Sequence, residues 1–260
     1  MHIDEILATV ECGERPLVPE SWGQGRTTFG GLTGAILCQA LMAGVDGDRV
    51  LRNLDVSFVR PFEALKPYNL DVEEFANGKT VCIKQVRLVQ DGKIRAVAKG
   101  DFVRMLESAV HIDTFIAPNL PTIADSRLLV GDDLPDFFGM FEAYVATKGM
   151  PFSGTDVPEL GGWMRFNETP VQLTESHLVC LIDSWPPTAS PFYEGFKPLS
   201  TVSWSIHFAN PVTTLASDSF VGYHSKVNFG EGGISSSSAE IWAPEGKLLA
   251  KSVQTSIIYG

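Results

Sequence analysis

One strand-ending motif occurs twice in this chain, and the recurrence limits what the chain can fold into. Ser57-Phe58-Val59-Arg60-Pro61 and His207-Phe208-Ala209-Asn210-Pro211 each close an alternating apolar segment, with the prolines 150 residues apart. A second pair, Asp91-Gly92-Lys93-Ile94 and Glu245-Gly246-Lys247-Leu248, is separated by 154 residues. Strand-proline and hairpin patterns recur by chance in β-rich chains. Two nearly equal offsets around the same order of elements point instead to a duplication.

The element order supports this. A short amphipathic helix opens the chain, with Ile3, Ile6, Leu7 and Val10 on one face. Residues 29–45 read as a helix carrying Leu32, Ala35, Ile36, Ala40 and Ala43, apolar on most sides and therefore buried. Strands follow at 51–62, 68–76, 80–89 and 94–105, the last two joined at Asp91-Gly92, a strong hairpin signal. In the second half Gly161-Gly162 opens a strand. Residues 169–183 then read as a helix, with Thr169 as N-cap, Pro170 at the first position and Gln172 completing a capping box. Trp185-Pro186-Pro187 stops it. The segment 198–212 alternates with Val202, Trp204, Ile206 and Phe208 on one face, and three more strands complete the chain.

Between the halves, residues 106–160 hold five prolines and read as a connection with structure of its own, including a short helix at 135–145. The expected class is α+β: two tandem antiparallel sheets, each curled around a central helix. Pairing them edge to edge removes two exposed strand edges. The expected division is 1–105, 106–160 and 161–260.

Composition narrows the function. A net charge of −11 leaves no basic footprint for nucleic acid. No apolar run reaches the length of a membrane span, and the N-terminus lacks the pattern of a signal peptide. Four dispersed cysteines without a CxxC pair argue against zinc and disulfides and suit a reduced cytoplasm. The five histidines show no metal spacing, and His177 reads as a core or surface residue rather than a ligand. Nucleophile-elbow, dinucleotide and P-loop fingerprints are absent.

The two halves differ at three positions. Gln254 aligns with Gly100, Thr201 with Leu51, and Asp183 with Ala or Met residues near the end of the first helix. Singly each has an ordinary explanation: a turn residue, a strand-former, an amide at a bulge. Together an acid, a hydroxyl and an amide can hold a water, with the carboxylate as general base and the other two fixing its orientation. That suits hydrolysis of an activated acyl group such as a thioester. Backbone amides at a helix start could stabilise the oxyanion, and Gly30-Gly31 would let a carbonyl approach closely.

These residues resemble the bacterial type II acyl-CoA thioesterases, which have a double hotdog fold. The resemblance rests on Phe29-Gly30-Gly31, Ser57 to Pro61, Leu181-Ile182-Asp183, Thr201 ten residues before Pro211, and Gly246-Lys247-Leu248-Leu249-Ala250 with Gln254. It implies that Asp183, Thr201 and Gln254 activate the water. It further implies that acyl-CoA is hydrolysed to a free acid and CoA with no metal or redox cofactor, and it leaves a homo-oligomer open. Arg26, Arg60 and Lys79 are candidates for the CoA phosphates, with Gly30, Gly31 and Arg60 as substrate-binding residues. Two other readings stand beside it: a non-catalytic acyl or acyl-CoA binding protein, and a hydratase or dehydratase needing an Asp and a His on one substrate.

Overall fold

The computed structural model describes residues 1–131 and 134–260; Asp132 and Asp133, inside the connecting segment, lie outside the described residues. Helix α1 (Ile3–Glu11) buries the four apolar residues expected of it. Two short strands, β1 (Gly23–Gln24) and β2 (Thr27–Thr28), form a small ladder before α2 (Gly30–Met42), which is buried along most of its length. The strands β3 (Arg49–Phe58), β4 (Asn69–Asn77), β5 (Val81–Gln90) and β6 (Lys93–Arg104) follow. Asp91 (φ 53°) and Gly92 (φ 68°) both take left-handed geometry between β5 and β6, as a two-residue hairpin of this hand requires.

The connecting segment supplies β7 (Arg127–Leu128) and β8 (Phe141–Val145). The expected helix at 135–145 is instead a 3-10 turn, Asp136–Met140, running into β8, whose alternating burial packs Phe141, Ala143 and Val145 into the core. After β9 (Glu159–Phe166) comes α3 (Glu175–Ile182), then β10 (Leu199–Phe208), β11 (Val221–Glu231), β12 (Ile234–Trp242) and β13 (Leu248–Ile258).

The helix expected over 169–183 starts later than its sequence signals suggest. Thr174, not Thr169, is the N-cap, and His177 completes the capping box in place of Gln172. A distant contact draws the intervening residues out of helical geometry: the Val171 amide donates to Asp4 Oδ2 of α1 at 2.8 Å. Asp4 Oδ1 also lies 2.8 Å from Nε2 of buried His177. Burial holds the His177 pKa below its usual value, against the pull of Asp4.

Eleven strands form one sheet in the order β4-β5-β6-β3-β10-β13-β12-β11-β9-β8-β7. The first-half strands meet the second-half strands where β3 pairs antiparallel with β10. Both of these strands carry a register shift, between Leu51 and Asn53 in β3 and between Thr201 and Ser203 in β10. The two bulges are 150 residues apart, the spacing of the sequence motif. The bulge overturns one expectation. Val202 does not share a face with Trp204, Ile206 and Phe208; it is 41% exposed while the other three are buried. Among the described residues no helix is long and apolar enough to cross a membrane.

Candidate active site

Asp183, Thr201 and Gln254 arrive from three different elements. Asp183 is the C-cap of α3, where the chain leaves the helix before Trp185-Pro186-Pro187. Thr201 sits at the bulge of β10. Because Val202 is the extra residue there, Thr201 pairs with Ser256 of β13 and shares the inward face with Trp204, the partner of Gln254. An unbulged strand would turn Thr201 to the opposite face. Gln254 lies in the interior of β13 between Trp204 and Ser237.

All three are half-buried and line one cavity of about 740 Å³. Gln254 Nε2 donates to Asp183 Oδ1 at 2.8 Å and to Thr201 Oγ1 at 3.0 Å. The amide thus commits both its hydrogens to holding the acid and the hydroxyl in place. Its Oε1 and the Thr201 hydroxyl hydrogen remain for a third group. Burial pushes the Asp183 carboxyl up to about 7, while the Gln254 amide and the Gly31 backbone amide pull it back down. A carboxyl tuned to that range can exchange a proton near neutral pH.

The start of α2 faces this carboxyl. A Cβ on Gly30 would lie 2.6 Å from Asp183 Oδ2, so any larger residue would push the carboxylate from its place. Gly30 lines the cavity, and its amide has no backbone acceptor among the described residues. Gly31 has a different place. It is buried against the Phe29 ring and 2.7 Å (as a Cβ) from the Cys180 carbonyl, outside the cavity lining, and its amide serves Asp183.

Of the candidate cations, Arg60 lines the cavity, is exposed, and donates to the Ile94 carbonyl at 3.1 Å. Arg26 and Lys79 are exposed and lie outside the lining. Sequence reasoning missed Arg95, which also lines the cavity, paired with Asp91 at 3.0 Å and Glu63 at 3.8 Å. It missed most of the aromatic lining as well: Phe137, stacked on Phe29, with Phe138, Trp185, and Phe152 beside Phe196. Their signal was the density of Phe and Pro in the two irregular stretches. Among the described residues, no histidine lines the cavity. Among the described residues, no group of three or more His, Cys, Asp or Glu side chains converges in a way that could hold a metal ion.

Comparison with known proteins gives the same reading over both halves. Residues 18–104 match the acyl-CoA thioesterase N-terminal domain and residues 117–258 the acyl-CoA thioesterase C-terminal domain. The chain is 23% identical over 254 residues to acyl-CoA thioesterase 2 of Haemophilus influenzae, covering 90% of this chain and 88% of that one. Its fold is similar to a hot dog fold protein of Alicyclobacillus acidocaldarius (TM-score 0.84, 20% identity, 94% and 92% of the two chains). It is also similar to an acyl-CoA thioesterase II of Mycobacterium marinum (TM-score 0.73, 16% identity, 99% and 98%). The acyl-CoA thioesterase models match both halves of a chain with a hotdog α+β fold, and this chain is therefore a thioester hydrolase of the acyl-CoA thioesterase family.

Proposed function

We propose that the chain hydrolyses acyl-CoA at a single site in which Asp183 is the general base, Thr201 holds the water, and Gln254 fixes both. The observation that carries this is the double donation from Gln254 Nε2 to Asp183 and Thr201 inside a cavity large enough for a ligand. A water accepting the Thr201 hydroxyl hydrogen and donating to Asp183 gives up that proton as its oxygen attacks the thioester carbon. Negative charge then develops on the carbonyl oxygen. The Gly30 amide, at the positive end of α2, is placed to offset it. Collapse breaks the C–S bond, and protonated Asp183 returns the proton to the leaving thiolate. Free acid and CoA thiol result, with the carboxylate restored and no cofactor consumed.

In this reading the architecture is a double hotdog: residues 1–105 and 161–260 are the two repeats, and 106–160 joins them while adding edge strands to the second. Arg60, whose guanidinium among the described residues meets only a backbone carbonyl, would take an anionic part of CoA. The hydratase alternative needs a histidine facing the same cavity, and among the described residues none lines it.

The direct test is thiol release from purified protein given acyl-CoAs of graded length. Gln254→Ala is expected to lower kcat by about 10–100-fold, because it loosens both partners at once. Turnover equal to wild type would remove Gln254 from the site.

A further inference from the structure

We infer that Phe138 sets the length of acyl chain the site accepts, by plugging the partition between the active-site cavity and a second hollow. The inference rests on the thioesterase reading and specifies where the acyl chain lies.

The active-site cavity continues from Asp183 along the start of α2. Gly30 is followed outward by buried Phe29, whose ring stacks on Phe137 at 3.9 Å with an interplanar angle of 5°. Phe138 stands beyond it, 6.3 Å from Phe137 and edge-on. Behind this wall is a second, more open hollow of about 620 Å³. The described residues that line both spaces are Leu129, Val130, Gly131, Leu134, Pro135 and Phe138, none of them charged. Phe138 is the largest of the six and is 7% exposed. The turn Asp136–Met140 fixes it, with the Phe138 amide donating to the Pro135 carbonyl at 2.9 Å.

Charge decides which end of the substrate goes there. Of the cations that line the active-site cavity, Arg95 is paired with Asp91 and Glu63, which leaves Arg60, beyond the end of β3; the second hollow is lined instead by Asp136 and Glu142. A substrate with anionic phosphates and an apolar tail is drawn with its phosphates toward Arg60. Its tail is left against the Phe29–Phe137–Phe138 wall. A chain that ends at the wall stays within the active-site cavity; a longer one must displace the Phe138 ring to reach the second hollow.

The test compares kcat/KM for octanoyl-CoA and palmitoyl-CoA. Phe138→Ala joins the two spaces and is expected to raise the palmitoyl-to-octanoyl ratio about tenfold or more. Phe138→Trp is expected to lower it. Phe138→Leu is the milder variant should Ala cost too much stability, with a smaller shift in the same direction as Ala. Phe152→Ala, which opens only the active-site cavity, should leave the ratio where it was. The inference is overturned if the Phe138 variants leave the ratio unchanged, or if Phe152→Ala moves it as far as Phe138→Ala does. A wild-type protein that hydrolyses neither substrate would defeat the thioesterase reading instead. The partition would then stand or fall on calorimetric affinities for the same two compounds, where Phe138→Ala must favour palmitoyl-CoA.

Discussion

The C-terminal ends of α2 and α3 carry opposite charges. At the end of α2 the buried Lys84 ammonium donates to the carbonyls of Leu41 and Ala43, at 3.3 and 2.6 Å. At the end of α3 stands the Asp183 carboxyl. A cation is the favourable partner for a helix C-terminus and a carboxylate the unfavourable one. Strand register shows how the first half arranges its side. Lys84 pairs with Gly100, the counterpart of Gln254, so no side chain blocks its path to the helix end. A Cβ on Gly100 would already lie 3.1 Å from the Phe102 ring and 3.3 Å from Leu41. Leu51, the counterpart of Thr201, is aimed inward by the same bulge and simply packs. One scaffold thus holds a stabilising cap in one half and, at the equivalent point in the other, an acid that opposes its own helix and is kept in place by Gln254 and the start of α2.

This contrast can be broken most sharply at Asp183. Asp183→Asn keeps the shape and removes the proposed base, and kcat is expected to fall by about 10²–10⁴-fold in a thiol-release assay. The wild-type rate should rise with pH through about 7, the value to which burial pushes this carboxyl, and the variant should lose that dependence.

The next effect is on stability. The folded carboxyl binds its proton more tightly (about 7) than the unfolded one (3.8). Its contribution to folding is therefore complete below pH of about 4 and is lost as the pH rises through 7. The whole difference corresponds to about 4 kcal/mol at most. Denaturant melts of wild type should weaken over that window relative to Asp183→Asn; parallel curves would show that the acid is not opposed by its site.

In the first half, Lys84→Met keeps the length and strips the cap. It should cost about 1–3 kcal/mol in the same melts, with the turnover rate unchanged. A loss of activity without a loss of stability would mean that the first half takes part in the chemistry. Smallest of all, Val202→Ser at the exposed bulge should shift stability by no more than about 0.5 kcal/mol.

Much of this was readable in the residues because it rests on local rules. The strand-proline motif, the Asp91-Gly92 turn and the apolar α2 each announce themselves, and comparing repeats raised Asp183, Thr201 and Gln254 out of their ordinary surroundings. What escaped depends on distant partners. The signals at Thr169 are complete by local rules, yet the helix starts at Thr174, where an aspartate in α1, remote in sequence, holds Val171 and His177. A bulge leaves no mark on a period-two pattern, so Val202 was placed on the wrong face. The partition around Phe138 is irregular chain, shaped by what it packs against rather than by its own periodicity.

The eleven-stranded sheet has one further consequence, for how the protein behaves in a crowd. A ladder this wide could recruit other chains at its two free borders. One border is β7, only two residues long. The other is β4, which is exposed along most of its length and bears Asp71, Glu73 and Glu74. A stub closes one side; on the other, acids alternate with exposed Val72 and Phe75, so the charge on β4 is what stands between that border and an incoming strand.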